Sequence, residues 1–193
     1  MIRCVIVGHH ARRQQAEALA AMLDAHLLID EQYHGATWNH RRALEWALAQ
    51  QERVVVLEDD ALPVPDFRAR AATVLQRWQD DLVSLYLGTG RPAAFQDEIR
   101  QKLRALPACV DDGDAITLRT LVHAVCYSIP PAGIQRVIGL PLTHQTDFAI
   151  GDNWGRPVVY AVPSLVDHAD GPCVERHHDR QPRTEPRRAW VVG

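Results

Sequence analysis

Three adjacent acids, Glu58, Asp59 and Asp60, follow directly on an unbroken apolar run at 54–57. Carboxylates are costly to bury without partners, so the run must end at a polar edge where a ligand or solvent meets them. Adjacent acids suit a hard divalent cation, which takes oxygen ligands. Such a cation can neutralise a diphosphate. The same three residues also read as a solvated acidic turn. Two further acids, Asp147 and Asp152, fall in the segment 146–154. On a helix they would point about 140° apart, so at most one faces a given site. Asp147 is read equally well as a helix cap. Of the ten histidines, His168 stands out because it closes a Pro-Ser-Leu-Val-Asp-His loop behind a strand. It becomes a metal ligand only if the fold carries it to Asp60.

Two common acid-bearing sites are excluded. A P-loop ATPase needs GxxxxGK[ST], which is missing, and Lys102 is the only lysine. A dinucleotide site needs GxGxxG after the first strand, where this chain has Gly8-His9-His10-Ala11-Arg12-Arg13.

The elements that must hold these residues follow from apolar periodicity. Short β-branched runs read as strands, and three-to-four spacing reads as helix. Strands are expected at 2–7, 27–29, 54–57, 81–87, 115–118, 121–129 and 157–162. Helices are expected at 11–25, 37–50, 66–79, 93–106, 131–138 and 147–154, with Asp66 as a cap and 163–168 as a loop. The alternation in the first sixty residues predicts parallel strands with crossover helices. The expectation is a single α/β domain over 1–172, with a mostly parallel, Rossmann-type central sheet flanked by helices. The tail, 173–193, is rich in Arg, His and Pro and has no core of its own.

Composition adds bounds. At 193 residues, 47% hydrophobic and 23% charged, the chain is an ordinary globular sequence. Its net charge of −3 gives no global attraction to nucleic acid or anionic membrane. The four cysteines form no CxxC pair, which argues against a zinc knuckle. The apolar run at 4–7 is too short for a signal peptide, so the expectation is a reduced, cytoplasmic protein.

The order of features resembles GT-A-fold glycosyltransferases, most closely the small lipopolysaccharide-biosynthesis and collagen-galactosyltransferase type. Leu57-Glu58-Asp59-Asp60 matches the acidic DxD-type motif of that family, and Gly35-Ala36-Thr37-Trp38-Asn39-His40 is similar to its Gly-x-x-x-Asn segment. His123-Ala124-Val125-Cys126-Tyr127-Ser128-Ile129 resembles the tyrosine-bearing stretch downstream, before Asp147 and the loop ending at His168. The chain is also similar to compact bacteriophage-encoded glycosyltransferases. Its motif is EDD and not a strict DxD.

The resemblance implies transfer of a sugar from a nucleotide-diphosphate donor, UDP-linked above all, to an acceptor hydroxyl with inversion. The acceptor would be a glycan, or a modified DNA base in a phage setting. It implies Mn²⁺ or Mg²⁺ held by Asp60 and His168, and Asp147 as general base with Asp152 as runner-up. Gly8, His9, Arg12, Asp30, Asn39, Glu58 and Asp59 would form the nucleotide side, with Glu58 the most structural of the three acids. The tail arginines Arg176, Arg180, Arg183, Arg187 and Arg188 would either close over the diphosphate or form a solvated tail. Other readings of the same acids are a metal-dependent nucleotidyltransferase or phosphohydrolase, and a non-catalytic nucleotide-sugar-binding module.

Overall fold

A computed structural model describes residues 2–141, 145–171, 174 and 186–193. Cys173, Arg176, Arg180 and Arg183 lie outside the described residues.

The first half alternates as expected. Strand β1 (Arg3–His9) leads through a 3-10 turn (His10–Arg12) into α1 (Arg13–Leu23). Then come β2 (His26–Asp30), α2 (Ala36–Gln50) and β3 (Val54–Glu58). Both β2 and β3 pair parallel to β1. All four apolar residues of β3 are buried, as an unbroken apolar run in a two-sided sheet requires.

After β3 the order changes. A three-residue strand β4 (Ala61–Pro63) precedes α3 (Phe67–Arg77), a two-residue β5 (Val83–Ser84) and α4 (Ala93–Arg104). Next are β6 (Ala115–Leu118), β7 (Cys126–Ile129) and α5 (Pro131–Gly139). The described elements end with α6 (Thr146–Trp154), β8 (Val158–Ala161) and β9 (Val166–His168).

The main sheet has seven strands in the order β2-β1-β3-β7-β5-β8-β6. Strand β7 is antiparallel to both β3 and β5, and β6 is antiparallel to β8, whereas β5 and β8 are parallel. The sheet is therefore mixed, with β6 and β7 running against the other five. The parallel expectation holds for β1, β2 and β3 and for the β5–β8 pair, and fails at β7 and β6.

Helices cover both faces. α2, α4, α5 and α6 pack on one face through residues such as Leu44, Ile99, Ile134 and Ile150. α1 and α3 pack on the other through Leu19, Leu23, Phe67 and Val74. Alternate residues of β3 feed the two cores: Val54 and Val56 one, Val55 and Leu57 the other. This is the period-2 geometry of a strand. Two glycines permit close approach. A Cβ at Gly8 would lie 2.9 Å from the Ala16 Cβ, and one at Gly151 would lie 2.2 Å from the Leu121 backbone nitrogen. The first seats α1 on β1; the second seats α6 on the 120–121 segment.

Three local expectations are corrected. Asp66 adopts φ 56° and its side chain makes no capping bond; its carbonyl instead accepts from Ala69 and Arg70 N–H. Of 121–129 only the last four residues form a strand. The expected loop at 163–168 ends in β9, which pairs antiparallel with β4. Proline content hid that second sheet.

The final described segment is tied to the domain. Trp190 N–H donates to the Leu87 carbonyl, Thr89 N–H to Arg188 and Ser164 N–H to Val191. The Trp190 indole N–H reaches Gln96 Oε1 at 3.1 Å.

Candidate functional site

Register fixes where the acids emerge. Val7 of β1 lies opposite Glu58 of β3, and Asp59 N–H donates to the Val7 carbonyl at 3.1 Å. Asp59 and Asp60 thus form the turn between β3 and β4, at the carboxyl edge shared by β1, β2 and β3. Open α/β sheets bind ligands at this edge.

Asp59 and Asp60 are 5% and 3% exposed, so each needs compensation. His9 N–H donates to Asp59 Oδ2 at 2.6 Å, and Arg12 Nη1 donates to Asp59 Oδ1 at 3.0 Å. Arg12 also pairs with Asp60 Oδ2. Burial pushes the Asp59 carboxyl up to about 6, against the pull of His9 N–H and Arg12. Burial and the Glu58 charge push Asp60 up as well, opposed by His168 and Arg12. For Arg12, burial works against the charge, but the two aspartates more than restore it.

His168 is brought in by the small sheet. Ala61 of β4 is registered with His168 of β9, and Ala169 N–H donates to the Asp60 carbonyl at 2.8 Å. Backbone pairing therefore sets Asp60 beside His168. His168 Nε2 lies 3.3 Å from Asp60 Oδ2, with both side chains buried. Arg187 Nη1 donates to the same His168 Nε2 at 2.8 Å. Asp60 Oδ1 and His168 Nδ1 are buried without a hydrogen-bond partner.

These residues fit a divalent cation. Donors on adjacent vertices of an octahedron with bonds of about 2.1 Å lie about 3 Å apart, close to the Asp60–His168 separation. An unpartnered buried carboxylate oxygen adds a further lone pair. Among the described residues no group of three or more His, Cys, Asp or Glu is arranged to hold a metal ion. Asp60 and His168 would thus leave most of the shell to water and substrate oxygens, as Mg²⁺ sites that bind phosphates commonly do.

Glu58 faces elsewhere. His40 Nε2 lies 3.3 Å from Glu58 Oε1, and His40 Nδ1 lies 3.1 Å from the Tyr127 hydroxyl. Burial would raise the Glu58 carboxyl, but His40 outweighs it and holds the group below the ordinary range. His40 and Tyr127 thus anchor Glu58 to α2 and β7.

Asp147 lies in the first turn of α6. That helix start is tied to α2 by the Thr37 and Thr146 hydroxyls, 2.8 Å apart. Burial pushes the Asp147 carboxyl up to about 7, with the charge of Glu58 adding to it. Asp147 therefore senses the acid edge. Asp152 is exposed and accepts from Thr120 Oγ1 at 3.0 Å. It belongs to the far end of α6, and that bond ties it to the 120–121 segment.

The remaining nucleotide-side candidates surround the same edge. Asp30 is paired in register with His9 and accepts from Gly35 N–H at 2.7 Å and Gln32 N–H at 3.3 Å. Burial alone would raise its carboxyl; bonds from His34, Gly35 and Gln32 bring it below the ordinary range. Asn39 is buried, and its amide donates to the Gly8 and Leu28 carbonyls at 3.2 and 2.9 Å. Its oxygen accepts from Arg42 at 3.1 Å. Asn39 stitches α2 to β1 and β2, so it shapes the edge from beneath.

Sequence reading missed three partners. His40 and Tyr127 were hidden because neither sits in an acidic context; the clue was a histidine on the apolar face of α2. Tyr33, between β2 and α2, carries no sequence signal of its own. It is 73% exposed, held at φ 62°, and its ring centroid lies 3.9 Å from that of His10.

No protein-family model matches the chain, and no curated protein does either. Among solved structures, the crystal structure of A197 from STIV is similar, with a TM-score of 0.57 and 13% identity. The match covers 93% of this chain and 92% of that one. At this identity the likeness is one of fold.

Proposed function

We propose that the chain is a GT-A-type, metal-dependent glycosyltransferase of the cytoplasm. It would take a nucleotide-diphosphate sugar, UDP-linked above all, and transfer the sugar to an acceptor hydroxyl with inversion. The observation that carries this reading is the convergence of Asp60, His168 and Arg12 at the carboxyl edge. Residues 108 positions apart are brought within 3.3 Å by a dedicated two-stranded sheet.

In this reading Asp60 and His168 hold Mn²⁺ or Mg²⁺, which supplies charge neutralisation for the leaving diphosphate. Arg12 spans Asp59 and Asp60 and favours their charged forms against the effect of burial. His9, Asp30 and the exposed Tyr33 ring border the nucleoside, Tyr33 offering an apolar face to the base. Asp147, with its carboxyl near 7, accepts the proton of the acceptor hydroxyl, since a general base works best with a pKa near the operating pH. A glycan hydroxyl is the acceptor favoured by the family resemblance.

The test is calorimetric titration of UDP, GDP and their sugars with and without Mn²⁺, with hydrolysis followed in parallel. Metal-dependent binding of one nucleotide sugar is expected. Absence of metal-dependent nucleotide binding would refute the reading, and phosphoester cleavage without sugar transfer would point to a phosphohydrolase.

A further inference from the structure

Arg187 and a cation would need the same atom. A guanidinium has only N–H donors and no acceptor. The 2.8 Å contact from Arg187 Nη1 therefore uses the lone pair of His168 Nε2. An imidazole nitrogen has one such lone pair, and Nε2 is also the nitrogen that lies 3.3 Å from Asp60 Oδ2. A metal bound between Asp60 and His168 would take that lone pair and place a double positive charge against the guanidinium. The two arrangements exclude one another.

Arg187 also belongs to a segment with its own anchors. Ala189 N–H donates to Asp167 Oδ1 at 2.8 Å, next to His168 on β9. Thr89 N–H and Oγ1 both donate to the Arg188 carbonyl, at 2.8 and 3.1 Å. Trp190 is fixed to Leu87 and Gln96. Backbone anchors on residues 188–190 would keep Arg187 within side-chain reach of the site after it leaves His168. An arginine released there, beside a cation, is suited to a diphosphate: its planar fork binds phosphate oxygens bidentately.

We propose that Arg187 is an exchangeable partner of the site. It occupies His168 Nε2 until a divalent cation takes that nitrogen, and it then engages the diphosphate of the donor. The inference rests on the proposed metal site. It adds that cation and diphosphate binding are coupled through this one side chain. By linkage, the contact that weakens cation binding in the empty site must be relieved by an anion that holds Arg187 away.

The experiment measures Mn²⁺ affinity by electron paramagnetic resonance on the full chain. It compares the wild type with Arg187→Ala and Arg187→Gln, each with and without saturating UDP. Arg188→Ala, whose carbonyl but not side chain makes the Thr89 contacts, is the control. Without nucleotide, both Arg187 variants are expected to bind Mn²⁺ at least fivefold more tightly than wild type, and Arg188→Ala within twofold. With UDP the order reverses, because the variants lack the phosphate partner. The tightening of Mn²⁺ by UDP therefore shrinks at least tenfold in the variants. Circular dichroism and thermal unfolding establish that the variants stay folded. Equal Mn²⁺ affinity in wild type and both variants would overturn the exchange while leaving the metal site standing. No Mn²⁺ binding in any variant would overturn the metal site itself, and the exchange with it.

Discussion

The two halves of the candidate site are built differently. The β1–β3 half is a set of parallel strands whose acids are held by near neighbours in the fold: His9 and Arg12 on Asp59, His40 on Glu58, and the 32–35 loop on Asp30. The other half is supplied as single side chains by separate elements later in the chain: Asp147 from α6, His168 from β9 of the small sheet and Arg187 from the last described segment. The first half would be a preorganised cradle of charge for the proposed transferase, and the second would deliver the groups that ionise, coordinate or exchange. In the proposed transferase, substitutions in the first half should act on donor binding, and those in the second should separate binding from chemistry.

The largest expected effect tests the junction of the halves. Asp60→Asn should abolish metal-dependent UDP binding in calorimetry and lower transfer by at least about 100-fold, since a coordinating carboxylate and its charge are lost together. Asp60→Asn with undiminished Mn²⁺-dependent binding would move the metal elsewhere. Next in size, Asp147→Asn should reduce kcat by roughly 10²–10⁴-fold, the span of general-base catalysis, while UDP binding stays within about twofold. Equal losses in both would make Asp147 part of the cradle instead. Asp152→Asn, on the exposed end of α6, should change kcat by less than about twofold, as steady-state kinetics would show.

The pH dependence sharpens the same contrast. Asp147 acts as a base only when ionised, so kcat should rise with slope one and level off above about 7. An ordinary aspartate at 3.8 would give a flat profile from about pH 5 upward. Stability runs the other way. The folded pKa is raised, so the protonated form is favoured in the fold; this stability is fully present below 3.8 and is lost as pH rises through about 7. Asp147→Asn should therefore raise the Tm at pH 8 and leave it unchanged at pH 3.5. Its partial exposure reduces the gain to about 1–2 kcal/mol, or roughly 3–6 °C for a domain of this size.

What the sequence disclosed follows the same division. The β1–β3 half was legible because its signals are local: an unbroken apolar run in β3, helical spacing in α1 and α2, and acids at the end of a strand. Asp60 and His168 were both visible as residue types, but their meeting depends on β4–β9, two three-residue strands in proline-bearing sequence with no periodic signal. The direction of β7 was hidden for a related reason, since apolar alternation carries no information on whether a neighbour runs parallel or antiparallel. Asp147 was legible only as an even choice between cap and base. Its burial and the nearby Glu58 charge, which distinguish it from Asp152, are properties of the fold. Arg187 read as one of several tail arginines; the anchoring of residues 188–190 gives it an address.

The most direct test of the proposed metal site is electron spin echo modulation of the Mn²⁺–UDP complex. Coordination by His168 predicts a ¹⁴N imidazole signal that disappears in His168→Ala while the protein stays folded. A Mn²⁺–UDP complex without nitrogen modulation in the wild type would contradict a cation shared by Asp60 and His168.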